Sequence, residues 1–261
     1  MDKLYHIDFD DSHGASYAIL PGDPGRVEKI AACLENPRFF HQNREYTTWL
    51  GELTPSKNGE VAKGKPKTVM VMSTGMGGPS TAIAVEELYR TGVRNFIRVG
   101  TCGGMALPVI GGSLVIATAA IRMEGTTKEY VPIEFPAVAD LDITNALVEA
   151  AKRLSAKWHA GIVQCKDSFY GQHSPDRMPA GKELMDKWDA WIKAGCLASE
   201  MESSTLYIVS QILGARSGCV LNVVWNQERE RAGMSNPHSH DTSLAIKTAV
   251  EAVRILIERE G

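Results

Sequence analysis

Apolar positions along this chain follow two alternating rhythms. Short apolar runs at 17–20, 68–72, 95–99, 114–117, 161–165 and 217–225 predict buried strands. Between them, apolar residues recur at helical spacing. Val27, Ile30 and Ala31 form one such set, and Ala82, Val85 and Tyr89 another. Helices are also expected over 181–193 and 201–213. A final helix places Ile246, Val250, Val253 and Ile257 on one face. Residues 45–53 read as extended. Residues 54–66, rich in Lys, Gly and Pro, read as a solvated hairpin loop. Strands alternating with helices imply an α/β domain with a largely parallel sheet. No repeat, low-complexity tract or linker divides the chain, so residues 1–261 are expected to form a single domain.

Composition narrows the picture. The 261 residues suffice for one α/β domain with a real core. A net charge of -3 argues against nucleic acid as a partner, because phosphate backbones recruit basic surfaces. The first six residues contain no apolar signal core, and no run approaches the roughly 18 apolar residues of a membrane helix. A cytoplasmic location without membrane insertion is therefore expected. The five cysteines (Cys33, Cys102, Cys165, Cys196 and Cys219) are odd in number and form no CxxC pair. They read as reduced, partly buried thiols. Only Cys102, in a glycine-rich setting, is a candidate for chemistry.

Ligands of such sheets bind outside the carboxyl ends of the strands. Three strands here run into glycine-rich turns: Pro21-Gly22-Asp23-Pro24, Thr74-Gly75-Met76-Gly77-Gly78 and Gly100-Thr101-Cys102-Gly103-Gly104. One such turn is ordinary strand–helix punctuation, whereas three suggest a site. In the first, Asp23 is a plausible N-cap and Pro24 an N1 residue, so free N–H groups should face an anion. Arg26 lies one turn on. Arg98 sits in an otherwise apolar strand, where it is costly unless it meets a bound anion or a carboxylate partner. Gly22, Arg26, Arg98 and Thr101 together suit a phosphate dianion. Glu200-Met201-Glu202 has two readings. The acids favour a helix N-terminus, or a carboxylate accepts the vicinal hydroxyls of a ribose while Met201 packs on the sugar.

With these residues in order, the chain resembles the hexameric nucleoside phosphorylase family over nearly its whole length. The carriers are Pro21 to Arg26, Ser73 to Ser80, Arg98-Val99-Gly100-Thr101, Glu134 to Asp140 and Glu200-Met201-Glu202-Ser203. The resemblance implies a three-layer α/β/α fold around a mixed, partly barrelled sheet. It also implies a homo-oligomer, a hexamer, whose active site is shared between two subunits. Gly22, Arg26, Arg98 and Thr101 would hold phosphate, with Arg44 from the neighbour. Glu200, Met201 and Glu202 would hold the ribose, with His6 reaching across to its 5′-hydroxyl. Phosphate is then a co-substrate and no cofactor is required. A monovalent cation can bind near residues matching Glu45, Met76 and Ser80 in related enzymes.

Within the family, the likeness is greatest to members that cleave uridine. Purine members carry a strand-end aspartate that protonates the base. Asn226 occupies that position here, and an amide cannot serve as a general acid. Phe169-Tyr170-Gly171-Gln172 matches the segment whose glutamine reads uracil, and an amide offers both the donor and the acceptor that uracil's edge requires. Arg98, Gln172 and Glu202 would carry the catalysis, with Gly103, Phe169, Arg177 and Gln227 around the base. Two arginines common in such members are replaced by Ser174 and Gln227, leaving Arg177 or Arg229 to supply the charge. Thymidine or deoxyuridine cleavage, purine nucleoside phosphorolysis, hydrolysis by a nucleosidase and non-catalytic nucleoside binding are the alternatives. His238-Ser239-His240 reads as a solvated loop. Trp188 and Trp191 read as packing residues.

Overall fold

The structure, a computed structural model, describes residues 2–57, 60–61 and 65–260. Its strands are β1 (Tyr17–Pro21), β2 (Glu35–Asn43), β3 (Tyr46–Leu53), β4 (Ser56–Lys57), β5 (Glu60–Val61), β6 (Lys67–Met72), β7 (Asn95–Gly104), β8 (Leu114–Met123), β9 (Ala137–Val138), β10 (Trp158–Lys166), β11 (Ala198–Glu200) and β12 (Arg216–Asn226). Its α-helices are α1 (Val27–Ala31), α2 (Gly78–Arg90), α3 (Leu141–Arg153), α4 (Phe169–His173), α5 (Gly181–Lys193), α6 (Ser203–Leu213), α7 (Gln227–Arg231) and α8 (Ser243–Glu260).

The apolar run that opens β1 is buried at every position, as a strand covered on both faces must be. It pairs in parallel with β6 and β7. The main sheet runs β11-β10-β8-β12-β7-β1-β6-β3-β2, with β9 on β8. It is mixed: β12 is parallel to β7 but antiparallel to β8, and β3 is antiparallel to β6. A further antiparallel pairing of β11 with β7 closes β11, β10, β8, β12 and β7 into a five-stranded barrel. One face buries Val85 and Leu88 of α2 against Leu206 and Val209 of α6. The other buries Ile30 of α1, Ile143 and Leu147 of α3, and Ile246, Val253 and Leu256 of α8. The fold is the expected three-layer α/β/α arrangement with a partly barrelled sheet. No helix among the described residues is long and apolar enough to cross a membrane.

Two local expectations need correction. The glycine-rich stretch after Val99 is not a turn, because β7 continues through Gly104. Gly100 and Gly104 serve close packing in the barrel wall, whereas a Cβ on Gly103 would meet nothing within 4 Å. A Cβ on Gly100 would stand 2.9 Å from Leu221 Cδ2, and one on Gly104 2.6 Å from the Val109 carbonyl oxygen. The helix expected from 201 starts at Ser203, since Glu200 ends a strand and Met201 and Glu202 form the bend between them. Two larger elements were not expected from the sequence, one for want of a signal and one despite it. Strand β2 is mostly exposed, so its polar residues hide an edge strand paired only with β3. Helix α3 is amphipathic and capped by Asp140, whose side chain accepts from the Ile143 N–H at 2.9 Å. The expected hairpin exists as the antiparallel pair β4–β5, and its turn lies outside the described residues.

Candidate active site

A cavity of about 710 Å³ opens where β1, β7, β10, β11 and β12 end. One end is made for an anion. Asp23 accepts from the Gly25 N–H at 2.8 Å, which fixes the turn after β1 and directs Arg26 inward. Gly22 is needed for close approach, because a Cβ there would sit 2.9 Å from the Gly75 carbonyl oxygen. Arg26, Arg98 and Thr101 line the same end. Burial lowers the pKa of Arg26; Asp23 opposes this, and the charge of Arg98 adds to it. Two guanidiniums this close repel until an anion joins them.

Arg98 combines both readings open to it. Its NH2 group donates to Glu202, and its Nε lies 3.4 Å from Glu200 Oε2 as an ion pair without hydrogen-bond geometry. Burial opposes its charge, yet Glu202 and Glu200 outweigh burial and hold its pKa above the ordinary value. Its buried NH1 has no hydrogen-bond partner among the described residues. The Cβ position of Gly22 is 3.8 Å from that nitrogen, so the free donors face the anion turn.

The two glutamates divide their work. Glu200 accepts from the N–H groups of Glu202 and Ser203 and from the Ser203 hydroxyl, so it staples the bend before α6. Glu202 accepts from the Gly77 N–H at 2.7 Å and from Arg98. Burial raises the pKa of Glu202, Arg98 opposes this, and Glu200 adds to the rise. Each Glu202 oxygen keeps a lone pair for a ligand hydroxyl. Met201 lines the cavity beside them.

The other end is flat and apolar, with a polar seam. Phe169, His173, Trp225 and His238 form a run of rings. The Phe169–His173 and His173–Trp225 centroids are 4.3 and 5.9 Å apart, and His238 stacks on Trp225 with an interplanar angle of 11°. Burial lowers the pKa of His173 and the Lys166 charge lowers it further, which favours the neutral ring of His173. The seam is a relay. Lys166 Nζ donates to Ser199 Oγ at 2.6 Å, Ser199 Oγ to Gln172 Oε1 at 2.8 Å, and Gln172 Nε2 to Gln227 Oε1 at 2.9 Å. Gln172 thereby has a fixed amide orientation and keeps one N–H and one lone pair for a ligand. A second cavity of about 220 Å³ adjoins this end and shares Lys166 and Gln172.

The structure thus gathers Gly22, Arg26, Arg98, Thr101, Gly103, Phe169, Gln172, Glu200, Met201 and Glu202 around one cavity. Gln227 touches it only through Gln172. Arg177 is exposed over the Tyr170 ring, 5.1 Å from its centroid, and does not line the cavity. Arg229 donates to the carbonyls of Ser235 and Leu107. Neither arginine supplies the charge expected of it, because each is held by a surface ring or by backbone. Asn226 is fully buried; its Nδ2 donates to the Ala106 and Val109 carbonyls, so it is structural. His238 and His240 are exposed in the loop before α8, as the solvated-loop reading expects, and they also line the cavity, where His238 stacks on Trp225. Trp188 packs with Met105 and Cys196, as expected of a packing residue. His6 and Arg44 lie elsewhere, on one shared patch. His6 Nδ1 is 2.6 Å from Glu87 Oε1, Asn43 Nδ2 donates to the His6 carbonyl at 2.7 Å, and Arg44 lies over the Tyr5 ring. Lys166, Ser199 and Trp225 were missed. For Lys166 a signal existed, since a cation closing an apolar strand is the same anomaly as Arg98.

Comparisons with known proteins show the family of the chain. Residues 16–259 match the model of the phosphorylase superfamily. The chain is 50% identical to a uridine phosphorylase of Treponema pallidum (strain Nichols), over all of this chain and 96% of that protein. It is 41% identical to a uridine phosphorylase of Escherichia coli (strain K12), over 97% and 98% of the two chains. A guanosine phosphorylase of Halorubrum lacusprofundi is 37% identical over 87% of this chain and 85% of its own length.

Proposed function

The chain belongs to the phosphorylase superfamily, and from that membership we propose that it catalyses reversible phosphorolysis of uridine to uracil and ribose 1-phosphate. The observation that carries the reading is Arg98 NH1, a buried donor without a partner among the described residues, facing the turn at Gly22 beside a second arginine. A phosphate dianion supplies the missing acceptor. Glu202 and Met201 then receive the ribose, and the slot between Phe169 and Gln172 receives uracil.

The chemistry follows from this order. A phosphate oxygen forms a bond to the anomeric carbon while the C–N glycosidic bond breaks and its electron pair passes to the uracil ring. The transition state is oxocarbenium-like. Arg26 and Arg98 orient the nucleophile, Glu202 fixes the sugar, and Gln172 bonds the edge of the base. No cofactor besides the phosphate substrate takes part. Glu45, Met76 and Ser80 gather around Gly75, where Ser80 Oγ lies 3.3 Å from the Met76 carbonyl oxygen. Such oxygen donors suit a hard monovalent cation.

His6 and Arg44 share a patch outside their own cavity, which fits donation to a neighbouring copy in a homohexamer. The five cysteines are free, which fits a reducing cytoplasm. The test is uracil release from uridine with and without phosphate, alongside thymidine and inosine. Phosphate-dependent cleavage of uridine but not inosine is expected. Cleavage without phosphate assigns a nucleosidase, and cleavage of inosine overturns the reading of the base slot.

A further inference from the structure

Phosphorolysis places negative charge on the departing pyrimidine, and the base end of the cavity must answer it. Three lysine or arginine side chains line the cavity. Arg26 and Arg98 belong to the anion end. Arg177 and Arg229 are turned away, and Arg231, which borders the smaller cavity, pairs with Glu228 at 2.9 Å. The third is Lys166. It closes β10, is 5% exposed, and makes one hydrogen bond among the described residues, to Ser199. Its neighbour by charge is Glu200, whose oxygens are taken by the bend before α6. An ammonium has three donors. A buried one without an ion pair is costly to the fold unless a ligand completes it.

We propose that Lys166 is a catalytic residue of this reaction: its Nζ donates to a carbonyl oxygen of the departing uracil and neutralises the charge released when the glycosidic bond breaks. The inference rests on the uridine reading above. Three observations place it within reach of the base end, although its charge is also felt by Glu200 and Glu202. Lys166 bonds the serine that holds Gln172, lines both the main cavity and the one behind Gln172, and acts electrostatically on His173 of the ring wall. Burial lowers its pKa, with Glu200 as the main opposing influence. No new bond to Lys166 forms and no proton need leave it. The electron pair of the C–N bond stays on the ring, and solvent protonates the free base.

The alternative is that Lys166 only props Ser199 and Gln172, and leaving-group dependence separates the two roles. Lys166→Met and Lys166→Gln are compared with the wild type on uridine and on 5-fluorouridine, whose base departs more readily. Loss of an electrostatic donor lowers kcat on uridine by about 10²–10³-fold. The loss on 5-fluorouridine is expected to be clearly smaller, with the KM for phosphate unchanged. Equal losses on both substrates overturn the proposal and leave Lys166 a positioning residue. The wild type gives a check that needs no variant. At neutral pH, 5-nitrouracil, whose ring N–H is acidic enough to ionise, is expected to inhibit more tightly than neutral uracil. Weaker inhibition by the ring anion overturns the proposal even if both variants fail to fold. Absence of uridine cleavage by the wild type removes the functional reading itself, and Lys166 with it; an active wild type with insensitive variants removes Lys166 alone.

Discussion

Removing Arg98 should cost stability as well as activity, and the two losses can be separated. In Arg98→Met the aliphatic volume stays while the guanidinium goes. Glu202, in contact with it, and Glu200, 3.4 Å from it, are each 4% exposed and lose their cation. Breaking a buried ion pair by deleting one partner costs about 3–5 kcal/mol. For a chain of this size each kcal/mol lowers Tm by about 2–4 °C, so a fall of roughly 6–20 °C is expected. The pH dependence follows from Glu202, whose pKa burial already raises above its ordinary 4.5. Without the arginine it rises further, so the folded variant binds a proton that the unfolded chain releases. Stability from that proton is present below the unfolded value and lost as pH rises through the folded one. The Tm gap between variant and wild type should be widest near neutrality and narrow towards pH about 5. In Arg98→Met/Glu202→Gln the amide still accepts from the Gly77 N–H and carries no charge. Most of the lost stability should return while phosphorolysis stays absent. Thermal unfolding of the wild type, Arg98→Met, Glu202→Gln and the double variant across pH is the assay. A gap independent of pH, together with a double variant no more stable than the single one, would refute the ion-pair account.

Four further outcomes are expected. Gly22→Ala places a Cβ 2.9 Å from the Gly75 carbonyl oxygen, so the two turns must separate; KM for phosphate should rise by about tenfold or more, read by initial rates. Gly218→Ala puts a Cβ 2.4 Å from Ile143 Cγ2 in the helix layer, costing about 1–3 kcal/mol in denaturant unfolding while kcat stays unchanged. Gln172→Leu should raise KM for uridine much more than KM for phosphate, and equal effects on both would count against its role at the base. His13 has its pKa lowered from 6.5 by burial, against the pull of Asp11 and Asp10. Stability is therefore full above pH 6.5 and lost as pH falls towards the folded value, and His13→Gln should flatten that slope of Tm against pH.

Most strands and helices were legible because burial leaves a periodic trace, as β1 and α8 illustrate; α3 carries the same trace and is absent from the expected helices. Strand β2 was not, since an exposed edge strand needs no apolar alternation. The anion end was legible for a different reason: glycines at strand ends and an arginine in an apolar run are each expensive without a ligand. The base end was harder. Trp225 reads as core, and only the fold brings His238 beside it. Arg177 and Arg229 were attractive by position in the chain, but nothing in the sequence says that one lies on Tyr170 and the other on the carbonyls of Ser235 and Leu107. Ser199 became visible only when β11 closed the barrel and set its hydroxyl between Lys166 and Gln172.

The two ends of the cavity are also attached to the chain differently. The anion end is carved from β1, β7 and the turns at Gly22 and Gly75, where the backbones nearly touch. The ring wall keeps Trp225 in β12 but otherwise hangs on α4, beyond β10, and on the segment after β12 that carries His238. Substitutions in those peripheral stretches leave the phosphate turns and their packing intact. Selection can therefore change which base such a lineage accepts while inheriting its means of activating phosphate unaltered, so that new specificities arise without a fresh start in chemistry.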